Sequence, residues 1–542
     1  MRRLSHALRQ VIRNQSLRRV EAGWLMAVAA EWTYLVSLLV YAYDVGGVLA
    51  VGLMSTLRML PAAILAPFLA SLTDRLPNER VLVAVHASRG AAVGFAALAV
   101  LADLSVTTVV MAAVVEGIVA TLHRPTTMSM LPALARSPEE LIASNAVTST
   151  GEAIGLLVGP AIGGLLLTIG GPSLGLVVPA VAFVAASVAV VRVDVRVARG
   201  DSLAASSRAT GMLAGFAALR SYPAAGALVS IFISQTFVRG ILMVLLVAAS
   251  VELLGLGRSG VGYLSSAMGA GGFLGAMIAF GLVMRRDLAL PFSISLAMWG
   301  LPIVFIGLIP QSIVAFAFLG VLGIANAILD VSGFTLLQRS VPNHLRTRVF
   351  GALEGLIALS VAAGSLVAPV AVSLVGLQAA MVLTGTLLPV LALITSRIVR
   401  RADASAVVPH RQVTLLRGVP MFAPLPLTAL ERLAGGLVPM HFAPAESIVR
   451  QGEVGRDYFL IGSGVAEVLR GERRIALLRD GDGFGEIALL RNRPRTATVT
   501  AIEAVEGYSL PRDVFLEAVT GNAASVDVAD RVVTERMATT GP

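Results

Sequence analysis

The chain has 542 residues, of which 56% are hydrophobic and only 14% charged, with a mean hydropathy of +0.83. Soluble domains carry about 25% charged residues, so this composition excludes a wholly water-exposed protein and points to a membrane class. The absence of cysteine excludes disulfides, thiolate catalysis and Cys-bound metals, and the formal charge of +9 does not point to nucleic acid, because most arginines outside the C-terminal region fall in short loops between apolar runs.

Residues 1–21 carry Arg2, Arg3, Arg9, Arg13, Arg18 and Arg19. They lack a small-residue cleavage site and run into a full apolar span, so they read as a cytoplasmic segment and not a signal peptide. A bilayer-spanning helix needs about 20 apolar residues. That length predicts about twelve spans, at 22–43, 47–70, 81–101, 105–122, 145–168, 173–192, 223–250, 260–283, 289–309, 312–335, 348–374 and 376–397. Arginine recurs in alternate loops, at Arg75 and Arg80, Arg124 and Arg136, Arg192 to Arg220, Arg285 and Arg286, Arg339 to Arg348, and Arg397 to Arg401. Arg258 is the one exception in the intervening loops. The positive-inside rule then places both termini in the cytoplasm of a plasma-membrane protein.

The polar loop 193–222 separates an N-half, 22–192, from a C-half, 223–401, with six spans in each. Residues 402–412 read as a linker, and 413–542 as a soluble domain. There, from about 413, short alternating runs such as Asp457 to Gly464 and Ala466 to Arg470, with glycine turns, predict a small β-barrel or jelly roll, followed by a helical tail from about Arg512. The expected fold is therefore an all-α polytopic membrane protein of two six-helix halves plus a C-terminal β-roll with flanking helices.

Ionisable side chains inside spans are costly and mark functional sites or structural ion pairs. Glu31, Glu116 and Arg239 fall near the middle of their spans, and Asp330, with Asn326 one turn before it, lies toward the cytoplasm. With Gln235, these residues occupy the first, fourth, seventh and tenth spans, and they form a candidate proton and substrate pathway. Arg58, Arg89, Glu152 and Glu354 read more simply as structural pairs. Asp44 and Glu252, at span ends, read as solvated.

Two segments carry a resemblance. Ala70 to Arg80, around Asp74 and Arg75, resembles the G-x-x-x-D-R-x-G-R-R loop of major facilitator transporters, with both glycines and two basic residues replaced. The resemblance implies a conformational latch at Asp74 and Arg75. Gly151 to Gly164 resembles the G-x-x-x-G-P-x-x-G-G motif of the drug:proton antiporter branch through Gly155, Gly159, Pro160, Gly163 and Gly164. Glycines at four-residue spacing admit a close neighbouring backbone, and Pro160 is expected to bend the helix. Arg124-Pro125 through Asn145-Ala146 is similar to the enterobactin-exporter-like subgroup. The resemblance covers about 20–398 and implies a substrate site between the halves and export of a small molecule.

The most specific motif is Phe484 to Val499, which resembles the phosphate-binding cassette F-G-E-x-A-L-x-x-x-x-P-R-x-A-T-V of cyclic-nucleotide-binding domains. The resemblance covers about 413–520 and implies cAMP or cGMP as a regulatory ligand, with no covalent cofactor. Arg495 is expected to neutralise the cyclic phosphate with two parallel hydrogen bonds. Glu486 is expected to accept from the ribose 2′-hydroxyl, and Gly485 to allow close backbone approach. Backbone N–H groups at Ile487 and Ala488 add an anion-facing helix start. Thr496 contacts the base in some relatives and leaves cAMP and cGMP open, and Ala497 and Val499 line the pocket or core. No aromatic lid is evident in the tail beyond Phe515.

The resulting expectation is a proton-coupled exporter of a small molecule or drug, in contact with lipid, protons and substrate, regulated by a cyclic nucleotide below the membrane. A transporter-fold sensor without transport, and an exporter with a vestigial nucleotide domain, are the alternatives. The sequence shows no channel filter, voltage-sensing arginine repeat, P-loop or nucleophile–base pair, so neither a channel nor an enzyme is expected.

Overall fold

The structure is a computed structural model that describes residues 13–73, 76–136, 138–193, 219–220, 222–282, 287–341, 343–405, 410–491, 493–520 and 523–540. It divides into two compact units, Met1–Ser405 and Ala406–Pro542.

In the first unit, ten helices among the described residues are long and apolar enough to cross a membrane. Two are double length, Gln15–Thr73 and Pro138–Val190, and each is interrupted by a glycine pair. Gly47 and Gly171 take φ of 59° and 63°, a region where a Cβ is strained, so the chain reverses without a longer loop. Each double helix thus makes two passes, and the total is the twelve that the run lengths predict. The third and fourth passes are Asn78–Leu101 and Val106–Ala120, and His123–Leu134 bridges to the fifth. Passes seven to twelve are Pro223–Ala248, Gly257–Leu282, Ala289–Leu308, Ser312–Ser340, Asn343–Val375 and Leu377–Ser405. A π-helical turn, Ala249–Leu253, ends pass seven. Leu98, Val188, Met277 and Leu393 point outward with more than 60% of their surface free. An apolar exterior of this extent is stable against lipid, and the chain is a multi-pass membrane protein.

Small residues set the packing of pass five. A Cβ on Gly155 would lie 2.5 Å from Val28, and one on Gly159 would lie 2.7 Å from the Ala29 carbonyl and from Trp32. Gly163 likewise faces Thr33 and Val36 of pass one, and Thr33 donates to the Gly159 carbonyl at 2.8 Å. Gly164 faces the other way, onto Ser259 and Gly262 of pass eight. One glycine run therefore seats two neighbours. The expected bend at Pro160 is not where the backbone departs from helical dihedrals; those departures are at Gly170 and Gly171. The Leu156 carbonyl, which loses its i+4 partner at proline, lies against Gly269 of pass eight, where a Cβ would come within 2.5 Å.

The last membrane helix continues to Ser405, four residues into the stretch read as a linker. Its Asp403 carboxylate accepts from the Leu288 and Ala289 amides at 2.8 and 2.9 Å, and so caps the start of pass nine.

The second unit begins with helices His410–Gly418 and Leu427–Gly435, where the sequence reading expected strands. Apolar residues there recur at helical spacing: Val413 and Leu416, then Leu430, Leu433 and Ala434, are all buried. Eight strands follow: β1 Val438–Phe442, β2 Ser447–Val449, β3 Asp457–Ser463, β4 Ala466–Arg470, β5 Arg473–Leu478, β6 Gly483–Phe484, β7 Thr498–Ala501 and β8 Val505–Pro511. They form two antiparallel four-stranded sheets in the orders β1-β8-β3-β6 and β2-β7-β4-β5, and Phe459, Phe484, Leu478 and Val499 belong to the core they enclose. A one-turn helix, Glu486–Leu490, interrupts the strands, and helices Arg512–Thr520 and Ala523–Thr540 close the unit. Phe515 is fully buried against Phe422 and Tyr458, so it belongs to the core and does not cap a pocket.

Candidate functional site

The β6 strand stops at Gly485, whose φ of 98° turns the chain into the helix Glu486–Leu490. A Cβ there would also lie 2.4 Å from Arg495 Nη1, so glycine is required twice over. The chain returns through an isolated bridge, Val454 to Pro494, and backbone bonds tie Arg495 N to Glu453 O at 2.8 Å and Gly452 N to Arg495 O at 2.9 Å. These bonds fix Arg495 at the mouth of β7. Its guanidinium donates to the Gly485 carbonyl at 3.0 Å and the Asp457 carbonyl at 2.6 Å, over the Phe459 ring. Burial pulls its pKa down from the ordinary arginine value, an effect opposed by the charges of Asp457, Glu486 and Glu453.

These residues enclose a cavity of about 370 Å³. All seven residues that the cassette motif singled out, Gly485, Glu486, Ile487, Ala488, Arg495, Thr496 and Ala497, line it. Glu486 is only 1% exposed. Its Oε1 accepts from Arg536 Nη1 at 2.9 Å, whereas Oε2 is buried with no hydrogen-bond partner among the described residues. A buried carboxylate oxygen left in this state costs free energy until a donor reaches it. Arg495 and Glu486 thus both line the cavity, which has apolar walls from Val449, Val468 and Leu478.

Sequence reading missed Arg536. It lies 50 residues beyond Glu486 on the last helix, outside any motif, and also donates to the Gly483 carbonyl at 2.8 Å. Burial pulls its pKa down, but the Glu486 carboxylate outweighs this and holds it above the ordinary value. Gly483 is a second omission: a Cβ there would fall 1.7 Å from the Tyr458 hydroxyl. Burial raises the pKa of that phenol.

In the membrane unit the candidate charges form two separate groups. Arg89, fully buried on pass three, pairs with Glu31 at 3.0 Å and Glu116 at 2.8 Å. Arg58 of pass two pairs with the other oxygen of Glu116 at 2.9 Å. Glu116 is therefore held between two arginines with no exposed surface, while Glu31 keeps 31% of its side chain free. In the C-half, buried Trp299 donates to Asn326 Oδ1 and Asn326 donates to Asp330 Oδ2, both at 2.9 Å. Gln235 is buried and Arg239 half-buried on pass seven. Glu152 pairs with Arg124 at 3.0 Å on the surface. Asp74 and Arg75, and the arginines at 285 and 286, lie outside the described residues.

Two acids read as solvated are exposed, and each also has a partner. Asp44 accepts from Arg258 Nε at 2.8 Å, and Glu252 accepts from the Tyr43 hydroxyl. Each contact joins a residue before position 50 to one beyond 250, a separation no local pattern reports.

Comparison with known proteins matches residues 22–353, more than half of the chain, to the Major Facilitator Superfamily, and residues 439–522 to the cyclic nucleotide-binding domain. The second region resembles a cGMP-dependent protein kinase of Toxoplasma gondii, 42% identical over 94 residues, 17% of this chain and 9% of the relative. It also resembles a cAMP-dependent protein kinase regulatory subunit of Yarrowia lipolytica, 38% identical over 102 residues, 18% of this chain and 27% of the relative. The chain thus spans less than a third of the length of these curated relatives. Among solved structures, cAMP-bound PfPKA-R matches at 24% identity over 27% of this chain and 51% of that one, with a TM-score of 0.24. The chain belongs to the Major Facilitator Superfamily and carries a cyclic nucleotide-binding domain fused to its C-terminal side.

Proposed function

We propose that this protein is a secondary transporter that exports a small molecule or drug in exchange for protons by alternating access, and that cAMP or cGMP bound to the second unit biases the cycle. The observation that carries the nucleotide reading is that all seven cassette residues, Arg495 and Glu486 among them, line one cavity, with Glu486 Oε2 lacking a donor among the described residues. A 3′,5′-cyclic nucleotide offers one anionic phosphate to the guanidinium and one ribose 2′-hydroxyl to that oxygen. The relatives named for cGMP and for cAMP dependence support the class and do not choose between the two.

For transport, the geometry favours Glu31 and Asp330 as the proton-carrying acids. Each keeps a carboxylate that is incompletely enclosed, whereas Glu116 is saturated by two arginines and suits a structural role. The arginine pattern supports a plasma-membrane orientation with both termini cytoplasmic. Regulation requires that nucleotide bind one transporter conformation better than another.

Calorimetric titration of the full chain in nanodiscs with cAMP and with cGMP tests the nucleotide reading, and Arg495→Ala is the control. Binding abolished by the substitution supports it; no binding of either nucleotide to folded protein overturns it. Proton-driven ethidium efflux from everted vesicles, with Glu31→Gln and Asp330→Asn, tests the carriers. Efflux unchanged in both variants removes them from that role.

A further inference from the structure

The contacts of Tyr43 and Asp44 with Glu252 and Arg258 share one end of the membrane unit. Tyr43 and Asp44 stand just before the Gly46–Gly47 reversal between passes one and two. Glu252 and Arg258 flank the turn between passes seven and eight, which bends at Gly255 and Gly257 with φ of 64° and 66°. These are the corresponding corners of the two six-pass halves. Arg258 is the lone arginine in the loops on that side, and Asp44, across the seam between the halves, gives its charge a partner.

The packing below the corners runs the same way. Near this end the halves touch closely: a Cβ on Gly52 would lie 2.5 Å from the Ser365 carbonyl, and one on Gly262 would lie 2.3 Å from the Pro160 carbonyl. Thr56 donates to the Ala362 carbonyl across the seam at 3.1 Å. Farther from the corners, Gly151 of pass five meets Leu25 and Gly275 of pass eight meets Ile324, each within its own half.

We propose that Asp44–Arg258 and Tyr43–Glu252 form a polar latch that holds the outer corners of the two halves together in the cytoplasm-open state and breaks when the transporter opens outward. This rests on the alternating-access reading. The contacts suit a gate because they are weak: Arg258 is 59% exposed and Asp44 23%, and an ion pair so placed biases an equilibrium by about two- to fivefold without locking it. The Tyr43 contact adds a second, charge-assisted hydrogen bond at the same hinge.

The chain has no cysteine of its own, so a single Thr56→Cys reports on the seam directly. Its labelling by a membrane-impermeant maleimide is followed on intact cells, normalised to labelling after denaturation, with Asp103→Cys as the exposed standard. Thr56→Cys alone is expected to label slowly. Asp44→Asn and Tyr43→Phe are each expected to speed it about two- to fivefold, and the two together about tenfold. The swap Asp44→Arg with Arg258→Asp is expected to return the rate toward the parent. Unchanged labelling in the Asp44→Asn, Tyr43→Phe double variant overturns the latch, as does a parent rate equal to that of Asp103→Cys. If the swap variant fails to fold, the two single variants still decide. Ethidium efflux measured in the same cells separates the two hypotheses: efflux with no labelling response removes the latch alone, and a labelling response with no efflux removes transport and leaves the latch.

Discussion

Replacing Arg536 tests whether the last helix is part of the nucleotide site. Its Nη1 donates to Glu486 Oε1 at 2.9 Å and to the Gly483 carbonyl at 2.8 Å, while its own side chain stays 40% exposed. A hydrogen bond to a charged group is worth about 1.5–3 kcal/mol when buried. Partial exposure on the arginine side reduces this, so Arg536→Gln is expected to destabilise the second unit by about 1–2 kcal/mol. Loss of the clamp also frees Glu486 Oε1, so the carboxylate loses its fixed orientation beside the cavity. Nucleotide affinity is expected to fall about 5- to 30-fold, the same 1–2 kcal/mol expressed in binding. A double-mutant cycle with Glu486→Gln, read by calorimetry for affinity and by thermal unfolding for stability, isolates the pair. The expected coupling is at least about 0.5 kcal/mol. Additive effects, or an Arg536→Gln variant that binds and unfolds like the parent, would refute the reasoning and leave Arg536 as a surface contact.

Three further outcomes follow from other contacts. Gly159→Ala places a methyl 2.7 Å from the Ala29 carbonyl and from Trp32, so thermal unfolding in detergent should show a loss of about 1–3 kcal/mol, whereas Gly281→Ala, which meets nothing within 4 Å, should show far less. Glu116→Gln leaves Arg58 without its carboxylate and Arg89 with Glu31 alone, and is expected to cost about 3–5 kcal/mol in the same assay; a small loss there would argue against the structural role assigned to Glu116. Arg495→Ala removes both the proposed phosphate partner and the donor to two carbonyls. It should abolish measurable nucleotide binding and lower the unfolding temperature of the second unit without altering the membrane unit's own unfolding.

The parts of the molecule that were legible in the sequence are those written in adjacent residues. Twelve passes followed from run lengths because the bilayer fixes the length of a helix, and the cassette was visible because Gly485, Glu486 and Arg495 reach the cavity within one turn and one return strand. The glycine spacing in pass five gave the face toward pass one, but Gly164 and its contact with pass eight depend on a partner about a hundred residues away. The convergence of Arg58, Arg89, Glu31 and Glu116 was equally hidden. Arg58 and Arg89 read as structural pairs, but their partners lie on other passes, and only the bundle brings four helices' charges to a single centre. The helices before β1 were misread because a run of short apolar segments satisfies strand and helix periods alike until burial separates them.

The capping of pass nine by Asp403 has a mechanical meaning. A helix that ended freely would dissipate, in its own fraying, any strain reaching it from residue 406 onward. Here the terminal turn of Leu377–Ser405 is fastened to the first turn of Ala289–Leu308 by hydrogen bonds from two backbone amides to one carboxylate. Tension or torque applied where the chain leaves the bilayer is therefore shared at once between two passes of the C-half, which would move as a single lever.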